Sequence, residues 1–89
     1  MTLEEIRTQI NKIDKQILEK LNRRMILSLQ ARKFKSRIKD PKRETQILNQ
    51  IKKETKDYHF VRKKFAQKIF KKIIQESCKI QNMKRKEEP

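Results

Sequence analysis

Glycine and tryptophan are absent from this 89-residue chain, and proline occurs only twice. Glycine supplies many tight turns and β-bulges, and proline interrupts helices, so their scarcity removes the common stop signals of sheets and short helices. Isoleucine is the main β-branched residue, whereas the good helix formers Lys, Glu, Gln, Arg and Leu are abundant. The composition therefore predicts an all-α protein with long helices.

Cysteine and histidine each occur once. Cys78 has no partner for an internal disulfide, and one histidine with one cysteine cannot form a Cys/His metal cluster. No histidine lies near Cys78 in sequence to activate its thiol, and His59 stands alone in a predicted turn. We therefore expect no metal, no other cofactor and a reducing compartment such as the cytoplasm.

Long apolar runs are also missing. No segment approaches the roughly 18 apolar residues that span a membrane, and the N-terminal MTLEEIRTQI carries acidic residues without the apolar stretch of a signal peptide. We therefore expect neither a membrane anchor nor a secretory signal. The net charge of +15 attracts nucleic acid, acidic lipid or small polyanionic metabolites alike, so composition alone does not choose among them.

The first predicted helix is very long. Thr2 is an N-cap candidate with Glu5 as its capping-box partner, and neither proline nor glycine stops the helix before about residue 37. Such a helix spans about 54 Å, which the rest of a small chain cannot cover. A second copy would cover it, so we expect a homodimer. The apolar stripe of this helix is formed by Leu3, Ile6, Ile10, Ile13, Ile17 and Leu21.

Two further helices follow. Asp40 is an N-cap candidate with Pro41 at the first helical position, which tolerates the missing N–H. Asp57 is a possible N-cap for the third helix. We expect one domain over residues 1–83, with a charged flexible tail over residues 84–89. The predicted helices cover about residues 2–37, 41–55 and 58–83.

Polar side chains continue the apolar stripes of all three helices. In helix one the spacing of three and four leads to Arg24, Ser28, Ala31 and Lys35. In helix three, Ser77 and Gln81 follow Phe70 and Ile74, and in helix two Glu44 precedes Ile47. A buried unpaired charge costs several kcal/mol, so an anion should meet these cations.

Two explanations of this pattern stay open at this point. In the plainer one, Arg24 pairs with a buried carboxylate such as Glu44, and Ser77 bonds to its own helix backbone. In the other, a pocket for a small dianion explains the whole set, because arginine suits bidentate carboxylate recognition and lysine supplies a point charge.

An ordered set of motifs carries a family resemblance. It comprises IRTQINKIDKQIL, then RRM with a lysine eleven residues after its second arginine, then DPKRE, and finally IIQESCKIQ. With these motifs the chain resembles the all-helical chorismate mutases, the AroQ class, from Leu3 to about Gln81. The resemblance implies a dimer in which two long first helices intertwine and each active site takes an arginine from the other subunit.

The resemblance also implies the groups that bind the substrate's anionic side. Arg7 would be donated across the dimer and Arg24 would be its partner, both holding substrate carboxylates. Lys35 would contact a carboxylate and the ether oxygen of the breaking bond. Ser77 would bind a carboxylate, and Gln81 would hydrogen-bond the ether oxygen.

The remaining implied roles concern the ring. Asp40 and Glu44 would hold the ring hydroxyl, with Arg43 supporting Glu44 and the pocket. The apolar wall would be formed by Ala31, Ile47 and Ile74. The connection SRIK between Lys35 and Asp40 is several residues shorter than in many family members.

The implied reaction is the intramolecular rearrangement of chorismate to prephenate, on the shikimate pathway to phenylalanine and tyrosine. It needs no nucleophile, metal or obligatory proton transfer, so positioning and electrostatics can supply the catalysis. One alternative is an isochorismate pyruvate lyase of the same fold, against which Glu44 and the Glu76–Ser77 pair favour the mutase. Another is a non-enzymatic basic helical module that binds nucleic acid. The chain has only five aromatic residues, and we expect most of them in apolar stripes rather than as stacking platforms.

Overall fold

The computed structural model describes residues 1–83, which form three helices. Helix α1 spans Leu3–Ala31 and continues into a 3-10 turn over Arg32–Phe34. Helix α2 spans Pro41–Glu54, and helix α3 spans Lys63–Gln81. No strand occurs within residues 1–83, so the predicted all-α class with three helices and a long first helix is confirmed. The predicted tail over residues 84–89 lies outside the described residues.

Helix α1 begins with the predicted capping box. The Thr2 hydroxyl accepts a hydrogen bond from the Glu5 backbone N–H at 3.2 Å, and the Glu5 carboxylate accepts one from the Thr2 N–H at 3.3 Å. Its end differs from the prediction, because regular α-helix stops at Ala31 rather than near residue 37. Lys35 is already extended, with φ −104° and ψ 136°. No proline or glycine stops the helix at this point. We attribute its end to the tertiary contacts that follow, in which the Lys35 ammonium bonds to Ile38 and Gln81.

Helix α2 follows its predicted bounds closely. The Asp40 carboxylate accepts a hydrogen bond from the Arg43 N–H at 3.1 Å, and Pro41 occupies the first helical position. The helix ends at Glu54, where the hydroxyl of buried Thr55 donates to the Ile51 carbonyl at 2.8 Å. Local capping chemistry thus fixes both ends of α2.

The start of helix α3 was predicted wrongly. The helix begins at Lys63 rather than at Tyr58, and its N-cap is Arg62, whose side chain makes no capping bond. Asp57 lies instead in a turn that closes with a 3.1 Å bond from the Tyr58 N–H to the Thr55 carbonyl. The chain needs these residues to reverse direction, so that α3 can pack on α2 and Gln67 can donate to the Leu48 carbonyl at 3.4 Å.

Helix α3 packs against both of the other helices and carries most of the core. Its buried face includes Ile73, Ile74, Ser77 and Gln81, as its apolar and polar spacing predicts. Helix α2 contributes Ile51 to the same core. The core is small, because none of the described side chains has less than 2% of its surface exposed.

The N-terminal half of α1 stands away from this core. None of the described residues of α1 is buried, and Ile10 and Ile17 are 50% and 51% exposed. The radius of gyration is 16.0 Å, against about 12 Å for a compact chain of this length. A single chain therefore leaves the apolar stripe of its longest helix uncovered.

Most aromatic side chains are also exposed, and only Phe65 and Phe70 lie on an α-helix, contrary to the prediction that most aromatic residues lie in apolar stripes. Phe34, Tyr58 and Phe60 fall in turns because α1 ends earlier and α3 begins later than predicted. Phe65 is exposed on α3, and only Phe70 of the five is partly covered. None of the helices within residues 1–83 is long and apolar enough to cross a membrane.

Candidate active site

A cavity of about 370 Å³ lies where the three helices meet the connection between α1 and α2. Helices α1 and α3 contribute hydrogen-bonding groups to it, and the start of α2 contributes charged groups. It encloses every sequence-predicted site residue except Arg7. The lining consists of Arg24, Leu27, Ser28, Ala31, Lys35, Ile38, Asp40, Arg43, Glu44, Ile47, Ile74, Ser77, Cys78 and Gln81.

Arg24 points from α1 toward α3 and meets a neutral partner. Its Nη1 donates to the Ser77 hydroxyl at 2.7 Å, and the Ser28 hydroxyl lies 3.2 Å from the same Ser77 oxygen. No carboxylate within residues 1–83 forms an ion pair with Arg24. The plainer alternative, in which Arg24 pairs with Glu44 and Ser77 bonds to its own backbone, is therefore wrong.

Burial of the guanidinium lowers the pKa of Arg24, and the nearby cation of Arg43 lowers it further. Arginine starts from so high a value that Arg24 stays charged at neutral pH. A partly buried cation beside a second cation is costly without an anion. The site therefore favours a negatively charged ligand at Arg24.

Lys35 and Gln81 form a second polar pair. The Lys35 ammonium donates to Gln81 Oε1 at 3.0 Å and to the Ile38 carbonyl at 2.7 Å. The Gln81 amide nitrogen donates in turn to the Ser28 carbonyl at 2.9 Å. Both partners of Lys35 are neutral, so its charge, like that of Arg24, meets no carboxylate in the described part of the chain.

The acidic groups lie at the opposite side, at the start of α2. The Asp40 carboxylate caps the helix through the Arg43 N–H, as given above. Glu44 forms an ion pair with Lys39, whose Nζ lies 2.9 Å from Oε2 and 3.0 Å from Oε1. The cation that contacts Glu44 is therefore Lys39, whereas the family resemblance implied that Arg43 supports Glu44. Arg43 lines the cavity, and its charge lowers the pKa of Arg24.

The predicted apolar wall is formed by Ala31 on α1, Ile47 on α2 and Ile74 on α3. Sequence reasoning missed three further lining residues. Leu27 precedes Ser28 in sequence and Cys78 follows Ser77. Their positions next to these predicted inward-facing serines could have indicated that they line the cavity. The third, Ile38, lies in the connection and carries no periodic signal.

Arg7 is far from this cavity. It lies about 25 Å from Arg24 along the axis of α1 at 1.5 Å per residue. Its side chain is 62% exposed and pairs with Glu4 of the same helix turn at 3.2 Å. Arg7 therefore does not line the cavity of its own chain.

The lysine pairs Lys52–Lys53, Lys63–Lys64 and Lys71–Lys72 lie outside the cavity and are exposed. His59 is exposed as well, in the turn before α3. No group of three or more His, Cys, Asp or Glu side chains within residues 1–83 is placed to hold a metal ion. The cavity lining offers cations that can bind an anion, hydrogen-bonding side chains and apolar contacts.

Comparison with known proteins identifies the family. Neither the curated proteins nor the solved structures compared with the chain gave a significant match. The sequence model of the family described as chorismate mutase type II matches residues 6–82. That range includes all three helices almost completely and every residue that lines the cavity. The chain therefore belongs to the type II chorismate mutase family and is an isomerase.

Proposed function

We propose that the protein converts chorismate to prephenate on the shikimate pathway to phenylalanine and tyrosine, and that it works as an intertwined homodimer. The observation that carries this proposal is that Arg24 and Lys35 enter one cavity and have only neutral partners among residues 1–83. Chorismate is a dicarboxylate, so its two charges match two cations that meet no carboxylate in this described range.

The cations also suit the course of the reaction. An ether C–O bond breaks while a C–C bond forms within the same molecule, and the ether oxygen becomes more negative in the transition state. The Lys35 ammonium donates to the Gln81 amide oxygen at 3.0 Å and to Ile38, and the Gln81 amide nitrogen donates to Ser28 at 2.9 Å. An ammonium has three N–H groups and an amide nitrogen two, so each side chain keeps one N–H that would face the ether oxygen. Donors held in place before the reaction stabilise developing charge without reorganisation.

Binding groups would hold the reactive chair-like conformer. Arg24 and Ser77 would hold one carboxylate, and the apolar wall would pack against the ring. Fixing the two ends of a flexible substrate removes much of the entropic part of the barrier. At the other side, Asp40 and Glu44 would accept a hydrogen bond from the ring hydroxyl.

The homodimer completes the site in this proposal. The stripe Leu3, Ile6, Ile10, Ile13 and Ile17 is exposed in one chain. Burial of an isoleucine side chain contributes about 1.5–3 kcal/mol, so pairing two stripes would stabilise a dimer strongly. The long α1 would then carry Arg7 to the cavity of the other subunit, where it would join Arg24.

No cofactor is needed for this chemistry. The single cysteine is consistent with a reducing compartment, and we propose the cytoplasm. The exposed lysine pairs would form a solvated surface.

The decisive experiment assays the purified protein with chorismate and with isochorismate in separate reactions. We expect loss of chorismate absorbance and formation of prephenate, and a molecular mass of two chains in solution. Release of pyruvate and salicylate from isochorismate, without prephenate formation, would identify the lyase instead. Salt-dependent retardation of DNA without either activity would identify the nucleic-acid module.

A further inference from the structure

Glu44 is the one carboxylate of the cavity that forms an ion pair within the described residues, and its partner lies outside the lining. Lys39 belongs to the short connection before α2, and its side chain is 71% exposed, whereas that of Glu44 is 24% exposed. In this ion pair, Lys39 lies at the solvent-facing rim and Glu44 lines the cavity.

The two oxygens of Glu44 are not equivalent. Oε1 accepts a hydrogen bond from Lys39 at 3.0 Å. Oε2 lies 2.9 Å from the same nitrogen, but it is shielded from solvent and has no partner with hydrogen-bond geometry in the described residues. Lys39 holds Oε2 by charge at 2.9 Å, and Oε2 keeps the capacity to accept a hydrogen bond from a ligand hydroxyl.

The backbone on both sides of Lys39 is held in place. The carbonyl of Ile38, one residue before it, accepts from the Lys35 ammonium at 2.7 Å. Asp40, one residue after it, caps α2 through the Arg43 N–H at 3.1 Å. Lys39 is thus presented to Glu44 from a fixed stretch of chain, although its own side chain is largely exposed.

The other charged groups around the cavity have different partners. Arg24 bonds to Ser77, and Lys35 bonds to Gln81 and Ile38. Arg43 acts on Arg24 by charge repulsion. The hydrogen bond and charge of Glu44 raise the pKa of Lys39, and Cys78 of α3 contributes a smaller effect in the same direction.

We propose that Lys39 is a positioning residue that fixes the Glu44 carboxylate with Oε2 toward the ring hydroxyl, and so makes the site selective for substrates that carry this hydroxyl. This inference rests on the proposed function. It assigns Lys39 no contact with the substrate, so its effect depends entirely on Glu44 and on the hydroxyl.

The test compares Lys39→Met with Lys39→Arg and with Lys42→Met. Lys42 is an exposed lysine three residues further along and has no ion pair in the described chain, so Lys42→Met controls for loss of one positive charge. We expect Lys39→Met to raise the KM for chorismate about fivefold, the size typical of an exposed ion pair, with kcat changed less than twofold. Lys39→Arg should restore most of the loss, and Lys42→Met should leave KM unchanged.

Two further measurements separate positioning from other roles. With a chorismate analogue that lacks the ring hydroxyl, Lys39→Met and wild type should behave alike. Combined with Glu44→Gln, Lys39→Met should add no further loss. A loss that persists with the analogue, or that adds to that of Glu44→Gln, overturns the proposal, as does an equal loss in Lys42→Met.

The ion pair itself is tested without catalysis by NMR titration of the Lys39 ammonium. Its pKa should be higher in the wild type than in Glu44→Gln. Equal values in both proteins overturn the pairing on which the inference depends. A wild-type protein that does not convert chorismate overturns the proposed function and the selectivity, whereas the NMR titration still decides whether Lys39 holds Glu44.

Discussion

At the scale of single residues, the side chains that interrupt apolar stripes are those that meet in the cavity. Arg24, Ser28, Ser77 and Gln81 could be placed there from helical spacing, because a period of 3.6 fixes the face on which a side chain lies. Their partners could not be derived in this way. Glu44 contacts Lys39, and nothing in the sequence pattern indicates this, because Lys39 lies in a connection that has no helical period.

The replacement Lys35→Ala tests the group assigned to the ether oxygen. It should lower kcat/KM for chorismate by about 10²- to 10³-fold, because one preorganised donor to a developing negative charge is lost. Steady-state kinetics would measure the loss. Lys33→Ala is the matched control, since Lys33 is exposed in the adjoining 3-10 turn and does not line the cavity.

An unchanged kcat/KM in Lys35→Ala would refute the role of Lys35. Because the Lys35 ammonium also holds the Ile38 carbonyl, circular dichroism should show that the variant keeps its helix content. A loss of helix together with activity would point to a structural role instead.

At the scale of the helices, capping chemistry explains which boundaries could be predicted. Thr2 and Asp40 cap α1 and α2 as their residue types suggest. Helix α3 starts at Arg62 without any side-chain cap, and its first turn carries no acidic residue. The start of α3 is therefore set by packing on α2. The sequence-based prediction placed the N-cap at Asp57 because aspartate is a preferred N-cap residue and arginine is not.

The uncapped start of α3 gives a prediction about stability. Arg62→Asp should raise the free energy of unfolding by about 1 kcal/mol, because an N-cap carboxylate accepts free N–H groups and replaces a cation at the positive helix end. The melting temperature should rise by about 4–8 °C at fixed protein concentration. Thermal unfolding followed by circular dichroism would measure it.

Arg62→Ala provides the matched control for this change. It removes the same cation but cannot cap the helix, so it should be less stable than Arg62→Asp. Equal melting temperatures for the two variants would show that the missing cap has no energetic consequence.

At the scale of the whole molecule, one chain leaves the apolar stripe of its first helix exposed. Its radius of gyration of 16.0 Å reflects the first half of α1, which extends beyond the core. Arg7 lies on that half, with its apolar neighbours Ile6 and Ile10 exposed. The proposed dimer would cover the stripe and complete the cavity at the same time.

A charge within the stripe should prevent assembly. Ile13→Asp is expected to give a monomer with little mutase activity, because a carboxylate in an apolar interface loses its hydration. Light scattering would measure the mass, and chorismate consumption would measure the activity. Asn11→Asp introduces the same side chain on the opposite side of α1 and should remain dimeric.

The proposed sharing of active sites between two subunits predicts complementation between inactive variants. Arg7→Ala and Arg24→Ala should each be nearly inactive, because each lacks one carboxylate-binding arginine at every site. After unfolding and refolding as an equal mixture, they should recover about a quarter of wild-type activity, since half of the dimers are mixed and each has one intact site. Recovery would be absent if Arg7 acted within its own chain, and Arg7→Ala alone would keep its activity if Arg7 had no role.

The sequence by itself determined the all-helical class, the faces of the helices and the kinds of side chain that meet in the cavity. These follow from composition and from a local period, which depend on neighbours a few residues apart. Tertiary structure alone decided that α1 ends at Ala31, that α3 begins only at Lys63 and that Lys39 forms an ion pair with Glu44. Each of these three features depends on contacts between different helices or with the connection between α1 and α2. The helical periodicity of the sequence describes residues within one helix and carries no information about such contacts.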